Sequence, residues 1–273
     1  MRRKGAIRLA ASSWKHAIFL SALAYQAGQA YARGGAFVVP RGYRLVQTLG
    51  GADYPFLGFV LESRSRLIAV FRGSQDLRDL LTDFDQSLIR FPYAERGGDT
   101  HRGFTKLYTR AVREPLLRLL QRKKRKPLIL AGFSLGAALA TLAGLDITLH
   151  AKGWSPAVYT FGSPKVGDAA FAGAYDRAVP RSARVANRFD PVTRFPASTK
   201  QRPYTHVARK RECDFRRGLL LDNHKIRNYF ACLAAKDPLY ARQLAAANPG
   251  LCPVVHPIYP APLSAPAKAA LPS

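Results

Sequence analysis

The chain has little cysteine: only Cys213, Cys232 and Cys252 occur among its 273 residues. The three are separated by 19 and 20 residues, so none forms the close pair that zinc-binding and redox motifs require. They permit at most one internal disulfide and leave at least one thiol free. The pattern therefore predicts no metal site, and it leaves the compartment, cytoplasmic or secreted, undecided.

The sequence also lacks an internal repeat, and it lacks an apolar run long enough to cross a membrane. Residues 17–24 are apolar and follow basic residues 2–4, as in a signal peptide. Arg8, Lys15 and His16 interrupt that pattern, so a secretory signal is not favoured.

Length and composition predict one α/β domain with a substantial core, because 273 residues with 48% hydrophobic content suit that class. We assign the domain to residues 17–252, after a basic N-terminal segment at residues 1–16. Residues 253–273 are mostly Pro, Ala and Ser, which predicts a mobile tail.

Acidic residues are scarce: 17 Asp and Glu stand against 43 Lys and Arg, which gives a formal net charge of +26. Basic clusters lie at residues 122–126, 209–211 and 216–217. Such a surface attracts polyanions and anionic lipid, and salt screens the attraction. A solvated basic surface without a partner has the same composition. Nucleic-acid binding is a remote alternative, because no zinc spacing, recognition helix or aromatic RNA-binding motif accompanies the charge.

The most informative segment is residues 132–136, which read Gly-Phe-Ser-Leu-Gly. The apolar residues 127–131 before it predict a buried strand, and residues 137–143 after it predict a buried helix. Gly-x-Ser-x-Gly in this context indicates a nucleophile elbow, a sharp turn that exposes the serine at its tip. Ser134 is therefore the candidate nucleophile, and the amide of Leu135 is a candidate oxyanion donor.

A serine nucleophile needs a base, and the base needs an orienting carboxylate. Four histidines follow Ser134: His150, His206, His224 and His256. His150 ends the helix after the elbow, and His256 lies in the Pro-rich tail. His206 lies in residues 203–207, which predict a strand, where a structural histidine is ordinary. His224 lies in a polar loop, the usual place for catalytic side chains, and is favoured over His206.

Asp190 is the candidate triad acid, because it follows the strand predicted at residues 182–187 and precedes Pro191. A plain Asp-Pro turn has the same sequence. The alternatives, which follow strands less cleanly, are Asp168, Asp176 and Asp214.

A second oxyanion donor is expected in the loop after an earlier strand. Residues 66–71 are the strongest strand signal in the chain, and Ser74 follows them. Ser74 offers both an N–H and a hydroxyl. A hairpin partner for this strand is predicted at residues 56–61.

Together these segments resemble the class 3 lipases, the fungal-lipase-like branch of the α/β-hydrolases. The segments that carry the resemblance, in family order across roughly residues 17–235, are residues 68–74, 79–83, 101–104, 132–136, 159–168, 187–196 and 204–207, with His224 and Tyr229. The resemblance implies a mostly parallel central sheet flanked by helices, with a lid-like segment at residues 76–92.

The resemblance implies a role for each candidate: Ser134 as nucleophile, Asp190 as triad acid, His224 as base, and Ser74 with the Leu135 amide as the oxyanion hole. It implies no cofactor. The expected activity is that of a serine carboxylic-ester hydrolase, a lipase acting on acylglycerols through a covalent acyl-enzyme. Phospholipase A1 and feruloyl-type esterase are alternatives on the same fold.

The sequence departs from the family pattern at three positions near the elbow and oxyanion loop. Phe133 stands where the family often has His, Ala137 where Gly is common, and Ser74 where Thr is frequent. None of these changes removes a functional group. The resemblance also implies that His101 is structural and that His206 lies outside the triad.

Overall fold

A seven-stranded mixed sheet forms the centre of the computed structural model, which describes residues 14–74 and 85–254. In chain order the strands are β1 (Arg44–Leu49), β2 (Gly58–Glu62), β3 (Leu67–Phe71), β4 (Leu88–Arg90), β5 (Asp99–His101), β6 (Leu128–Phe133), β7 (Ala157–Phe161), β8 (Ser182–Asn187) and β9 (Lys210–Cys213). The order in the sheet is β1-β2-β3-β6-β7-β8-β9. The pairs from β1 to β3 are antiparallel, and those from β3 to β9 are parallel.

Helices connect the strands and cover both faces of the sheet. They are α1 (Trp14–Ala32), α2 (Arg102–Tyr108), α3 (Glu114–Arg122), α4 (Leu135–His150), α5 (Ala169–Ala178), α6 (Ile226–Ala234) and α7 (Pro238–Ala247). A π-helical turn, Thr109–Arg113, joins α2 to α3, and short 3-10 turns lie at Pro191–Arg194 and Leu220–His224. Within the described residues, no helix is both long and apolar enough to cross a membrane.

Alternate residues of the central strands enter two different cores. In β3, Leu67, Ala69 and Phe71 pack with α2 to α5, whereas Ile68 and Val70 pack with α1, α6 and α7. All five β3 residues are buried, as expected for a central strand that is covered on both faces. This arrangement confirms the predicted α/β-hydrolase fold.

The segment predicted as a lid, residues 76–92, lies only partly within the described residues. Residues 76–84 lie outside them. Leu88–Arg90 forms β4, which pairs with β5, and Phe91 is buried in the core. The lid prediction therefore extends too far at its C-terminal end, because residues 88–91 belong to the folded body.

The predicted domain limits stay a prediction, since residues 1–13 and 255–273 lie outside the described residues. The apolar residues 17–24 lie in α1, and most of their side chains are buried in the core. His256 and most of the predicted tail also fall outside the described part of the chain.

A disulfide joins Cys213 at the end of β9 to Cys232 in α6, with their Cα atoms 6.2 Å apart. It closes the segment that contains His224 into a loop. Cys252 is a free thiol, and burial raises its pKa to about 11. Spacing alone does not choose among the three possible pairings; the packing of α6 on β9 does.

Candidate active site

Ser134 lies at a sharp turn between β6 and α4, with a φ angle of 56°. This left-handed conformation is strained for a residue with a side chain. A Cβ on Gly132 would overlap the carbonyl of Gly136, and a Cβ on Gly136 would overlap the carbonyls at the end of β3. The two glycines are therefore required by close packing of the turn against its neighbours.

The structure brings Ser134, His224 and Asp190 together. In sequence, Ser134 is 90 residues and Asp190 is 34 residues away from His224. The Oγ atom of Ser134 is 2.8 Å from Nε2 of His224. Nδ1 of His224 is 2.7 Å from Oδ2 of Asp190. Because the carboxylate accepts a hydrogen bond from the Nδ1–H of His224, Nε2 carries no proton and can accept the hydroxyl proton of Ser134. The geometry is that of a nucleophile, a base and an orienting acid.

The Asp190 carboxylate is held by donors from three directions. Besides the His224 ring, Oδ1 accepts the N–H of Val192 at 2.9 Å, and Oδ2 accepts the hydroxyl of Tyr229 at 2.6 Å. Asp190 is almost fully buried, so these bonds replace its lost hydration. They fix the position of Oδ2, which contacts the imidazole.

Tyr229 contacts the predicted acid, although the sequence placed it only among the residues that carry the family resemblance and gave it no role. Its hydroxyl donates to Asp190 and accepts the N–H of Asn187 at 3.1 Å. Burial and the nearby Asp190 carboxylate raise the pKa of Tyr229 above its usual range, so it remains a donor. Tyr229 is thus a positioning residue for the acid.

Replacing Tyr229 by Phe should lower kcat about tenfold with little change in KM, because the carboxylate loses a donor while the substrate contacts remain. Tyr108→Phe is a matched control, since Tyr108 donates to the buried Asp146 at 2.6 Å, near the other end of α4. It should lower only the melting temperature. Equal losses of melting temperature in the two variants, with kcat unchanged in both, would reduce Tyr229 to a structural role.

Both predicted oxyanion donors lie beside the nucleophile. A Cβ built on Gly73 would lie 3.2 Å from Cβ of Ser134, so the loop that carries Ser74 packs directly against the elbow. Leu135 is the first residue of α4, and its N–H therefore has no acceptor within the helix. The positive end of the α4 dipole adds to the same field.

A cavity of about 430 Å³ opens beside His224. One wall is formed by Ser74, Phe133 and His224, and α1 contributes another that includes Tyr25 and Gln29. The Phe133 ring stacks on His224 with centroids 4.7 Å apart, so the residue at the position where the family often has His packs against the predicted base. The contribution of α1 could not be predicted, because it depends on how that helix packs across the sheet.

His206 lies away from the nucleophile, and its Nε2 donates to the carbonyl of Thr193 at 2.6 Å. Burial and the nearby Arg184 lower its pKa to about 4, so the ring is neutral at neutral pH. The strand predicted at residues 203–207 is wrong: Thr205 makes a single bridge to Gly167. Pro203 has no N–H to extend a ladder, and the Arg184 side chain takes the carbonyl of Val207.

The remaining predicted histidines have structural environments. His101 caps the N-terminus of α2, where its Nδ1 accepts the N–H of Phe104 at 3.3 Å. Burial lowers its pKa to about 4. His150 contacts Asp146 at the C-terminal end of α4, far from the elbow. Among the described residues, no cluster of His, Cys, Asp and Glu has the arrangement of a metal site.

The sequence model for "Lipase (class 3)" matches residues 68–200, which include Ser134 and Asp190. Over these residues the chain matches the class 3 lipase family. The match ends before His224, so the family model itself does not cover the base. That residue joins the site through the fold, at the end of the 3-10 turn Leu220–His224.

Proteins similar to this chain include fungal and plant proteins. The lipase of Rhizomucor miehei is 33% identical over 117 residues, which cover 41% of this chain and 32% of that protein. The chloroplastic phospholipase A(1) DAD1 of Arabidopsis thaliana is 31% identical over 152 residues, which cover 49% of this chain and 34% of that protein. The chain thus spans about a third of the length of these curated relatives.

A solved structure, the complex of Rhizomucor miehei lipase with its propeptide, superimposes with a TM-score of 0.64. The superposition covers 75% of this chain and 70% of the other at 23% identity. At that identity the similarity concerns the fold, and it agrees with the mixed sheet described above.

Proposed function

We propose that this protein is a serine carboxylic-ester hydrolase that acts on acylglycerols. The observation that carries the proposal is the hydrogen-bonded chain from Ser134 through His224 to Asp190, with distances of 2.8 and 2.7 Å. All three side chains are nearly excluded from water, which strengthens the electrostatic interactions among them.

In the proposed reaction, Oγ of Ser134 attacks the ester carbonyl carbon while Nε2 of His224 takes the hydroxyl proton. Asp190 stabilises the resulting imidazolium and keeps its orientation. The amides of Ser74 and Leu135 donate to the oxyanion. Collapse of the tetrahedral intermediate breaks the ester C–O bond, and His224 gives its proton to the departing alcohol. Water then attacks the acyl-enzyme by the same steps and releases the fatty acid.

The relatives support lipid esters as the substrate class. Proteins similar to this chain are named lipase, phospholipase A(1), and secreted mono- and diacylglycerol lipase. Phospholipase A1 is the second candidate, because Lys225 and Arg227 line the cavity beside the base and suit a phosphate group. We also propose that the basic surface holds the enzyme on anionic lipid, an attraction that salt would weaken.

Access to the nucleophile supports a covering segment over the site. Ser134 is only 2% exposed, so an ester must displace whatever covers the hydroxyl. The family resemblance implies a lid-like segment at residues 76–92 for this role, and residues 76–84 of it lie outside the described part of the chain. Such a lid favours substrate presented at an interface.

Hydrolysis of a panel of esters tests the proposed function. The panel contains p-nitrophenyl esters of rising chain length, emulsified triacylglycerol and phosphatidylcholine. We expect hydrolysis of long-chain esters, with a rise in rate when triacylglycerol passes its solubility limit. Release of fatty acid from phosphatidylcholine alone would favour phospholipase A1. No turnover of any ester, and no labelling by a fluorophosphonate, would refute the proposal.

A further inference from the structure

The largest basic cluster of the sequence lies on the wrong side of the molecule to hold the active site against lipid. Residues 122–126 precede β6, whose other end carries Ser134. A strand of this length spans about 20 Å. Lys123 and Lys126 are also already paired with Glu62, at 2.7 and 2.9 Å. A surface that holds the active site against lipid is therefore expected near the carboxyl ends of the parallel strands.

Three consecutive leucines are exposed at that edge. Leu219, Leu220 and Leu221 have exposed fractions of 72%, 64% and 38%, and we call residues 219–221 the leucine loop. Single exposed leucines are common on proteins, but a contiguous group at the rim of a site is not. Leu220 and Leu221 are the first two residues of the 3-10 turn that ends at His224.

The leucine loop is held in this exposed arrangement by a buried side chain. Nδ2 of Asn223 donates to the carbonyls of Arg217, Leu219 and Leu220 at 3.1–3.2 Å. Its Oδ1 accepts the N–H of Arg217 at 2.8 Å. These bonds hold the backbone, so the leucine side chains are directed away from the core by a defined structure.

Cations without acidic partners flank the leucine loop. Within the described residues, Arg216 and Arg227 form no ion pair, and both are exposed. The two acidic residues of this region are already occupied: Asp214 pairs with Arg188 at 3.2 Å, and Asp222 pairs with Lys225 at 2.6 Å. An apolar loop between unpaired arginines is complementary to a lipid surface that has acyl chains beneath anionic headgroups.

We propose that the leucine loop inserts into an anionic lipid surface, with Arg216 and Arg227 at the headgroup phosphates. The inference rests on the proposed lipid-ester hydrolysis, to which it adds the face that meets the lipid. Insertion brings the base, three residues beyond the loop, to the lipid boundary. Leucine is suited to this role because the transfer of its side chain from water to lipid is favourable. The arginines are attracted to negatively charged headgroups.

Vesicle sedimentation tests the proposal in the full chain with Ser134→Ala, so that no lipid is hydrolysed during the assay. The vesicles contain phosphatidylcholine alone or equal parts of phosphatidylcholine and phosphatidylglycerol. Adding Leu219→Ser and Leu220→Ser should weaken binding to the mixed vesicles about 10- to 100-fold, because two apolar side chains no longer enter the lipid. Adding Arg216→Gln should weaken it about fivefold on mixed vesicles and leave phosphatidylcholine unaffected.

Leu149→Ser is the matched control, since Leu149 is 51% exposed near the opposite end of α4; it should bind as the parent does. In chains that retain Ser134, the variant with Leu219→Ser and Leu220→Ser and the Leu149→Ser control should both hydrolyse a soluble short-chain ester normally. This result separates the present proposal from the proposed function. Equal vesicle binding by the loop and control variants would overturn the insertion. The insertion would also be overturned if the parent chain bound neither kind of vesicle and formed a dimer that dissociates in the loop variant.

Discussion

Replacing Ser134 by Ala should abolish ester hydrolysis, with a loss of about a millionfold in kcat, while the fold remains intact. The reason is that the hydroxyl forms the covalent bond to the acyl group, and no neighbouring group replaces it. Labelling by a fluorophosphonate should disappear with the hydroxyl. Ser163→Ala is the control, because Ser163 is also buried, at the end of β7, and its hydroxyl donates to the carbonyl of Pro164. It should retain the label.

The same position allows a test of the strained turn. Ala keeps a Cβ at the φ angle of 56°, whereas Gly adopts that conformation without cost. Ser134→Gly should therefore be as inactive as Ser134→Ala but have a higher melting temperature. Fluorophosphonate labelling of a folded Ser134→Ala variant would show that another residue is the nucleophile. Equal melting temperatures would show that the turn stores no strain.

Much of the fold was predictable because the central strands are buried on both faces. Every residue of β3 enters one of the two cores, so its apolar run is continuous and readable. The strand predicted at residues 203–207 failed for a related reason. Thr205 makes only one backbone bridge, and the hydrogen bonds between a strand and its neighbour cannot be read from one segment.

The candidate site was predictable where chemistry and chain order constrain it. Ser134 lies in a motif, and Asp190 follows a strand whose carboxyl end lies at the same sheet edge. The hydroxyl of Tyr229 and the wall contributed by α1 could not be predicted in this way. Both depend on the distance between segments that are far apart in sequence, and a helix pattern gives no such distance. The disulfide between Cys213 and Cys232 depends on the same information.

Replacing His224 and His206 separately tests most directly which of the two histidines is the base. His224→Ala should lower turnover by several orders of magnitude, because base and nucleophile act as one unit. His206→Ala should leave turnover near normal and lower the free energy of unfolding by about 1 kcal/mol, since the Thr193 carbonyl loses its donor. Each variant is assayed for hydrolysis of one short-chain ester and for melting temperature. His224→Gln, which largely fills the space beneath Phe133, guards against a folding defect in His224→Ala.

The pH dependence of stability gives His206 a second, independent signature. Its pKa is about 4 in the folded protein and near 6.5 when unfolded, so the unfolded chain binds the proton more strongly. The wild type should therefore lose stability as the pH falls from about 6.5 to 4, and be most stable with respect to this group above that range. His206→Ala should lose less stability over the same pH interval. His101, whose pKa is similarly lowered, still contributes to the loss.

A folded His224→Ala enzyme with near-normal turnover, beside an inactive His206→Ala, would reverse the assignment of the base.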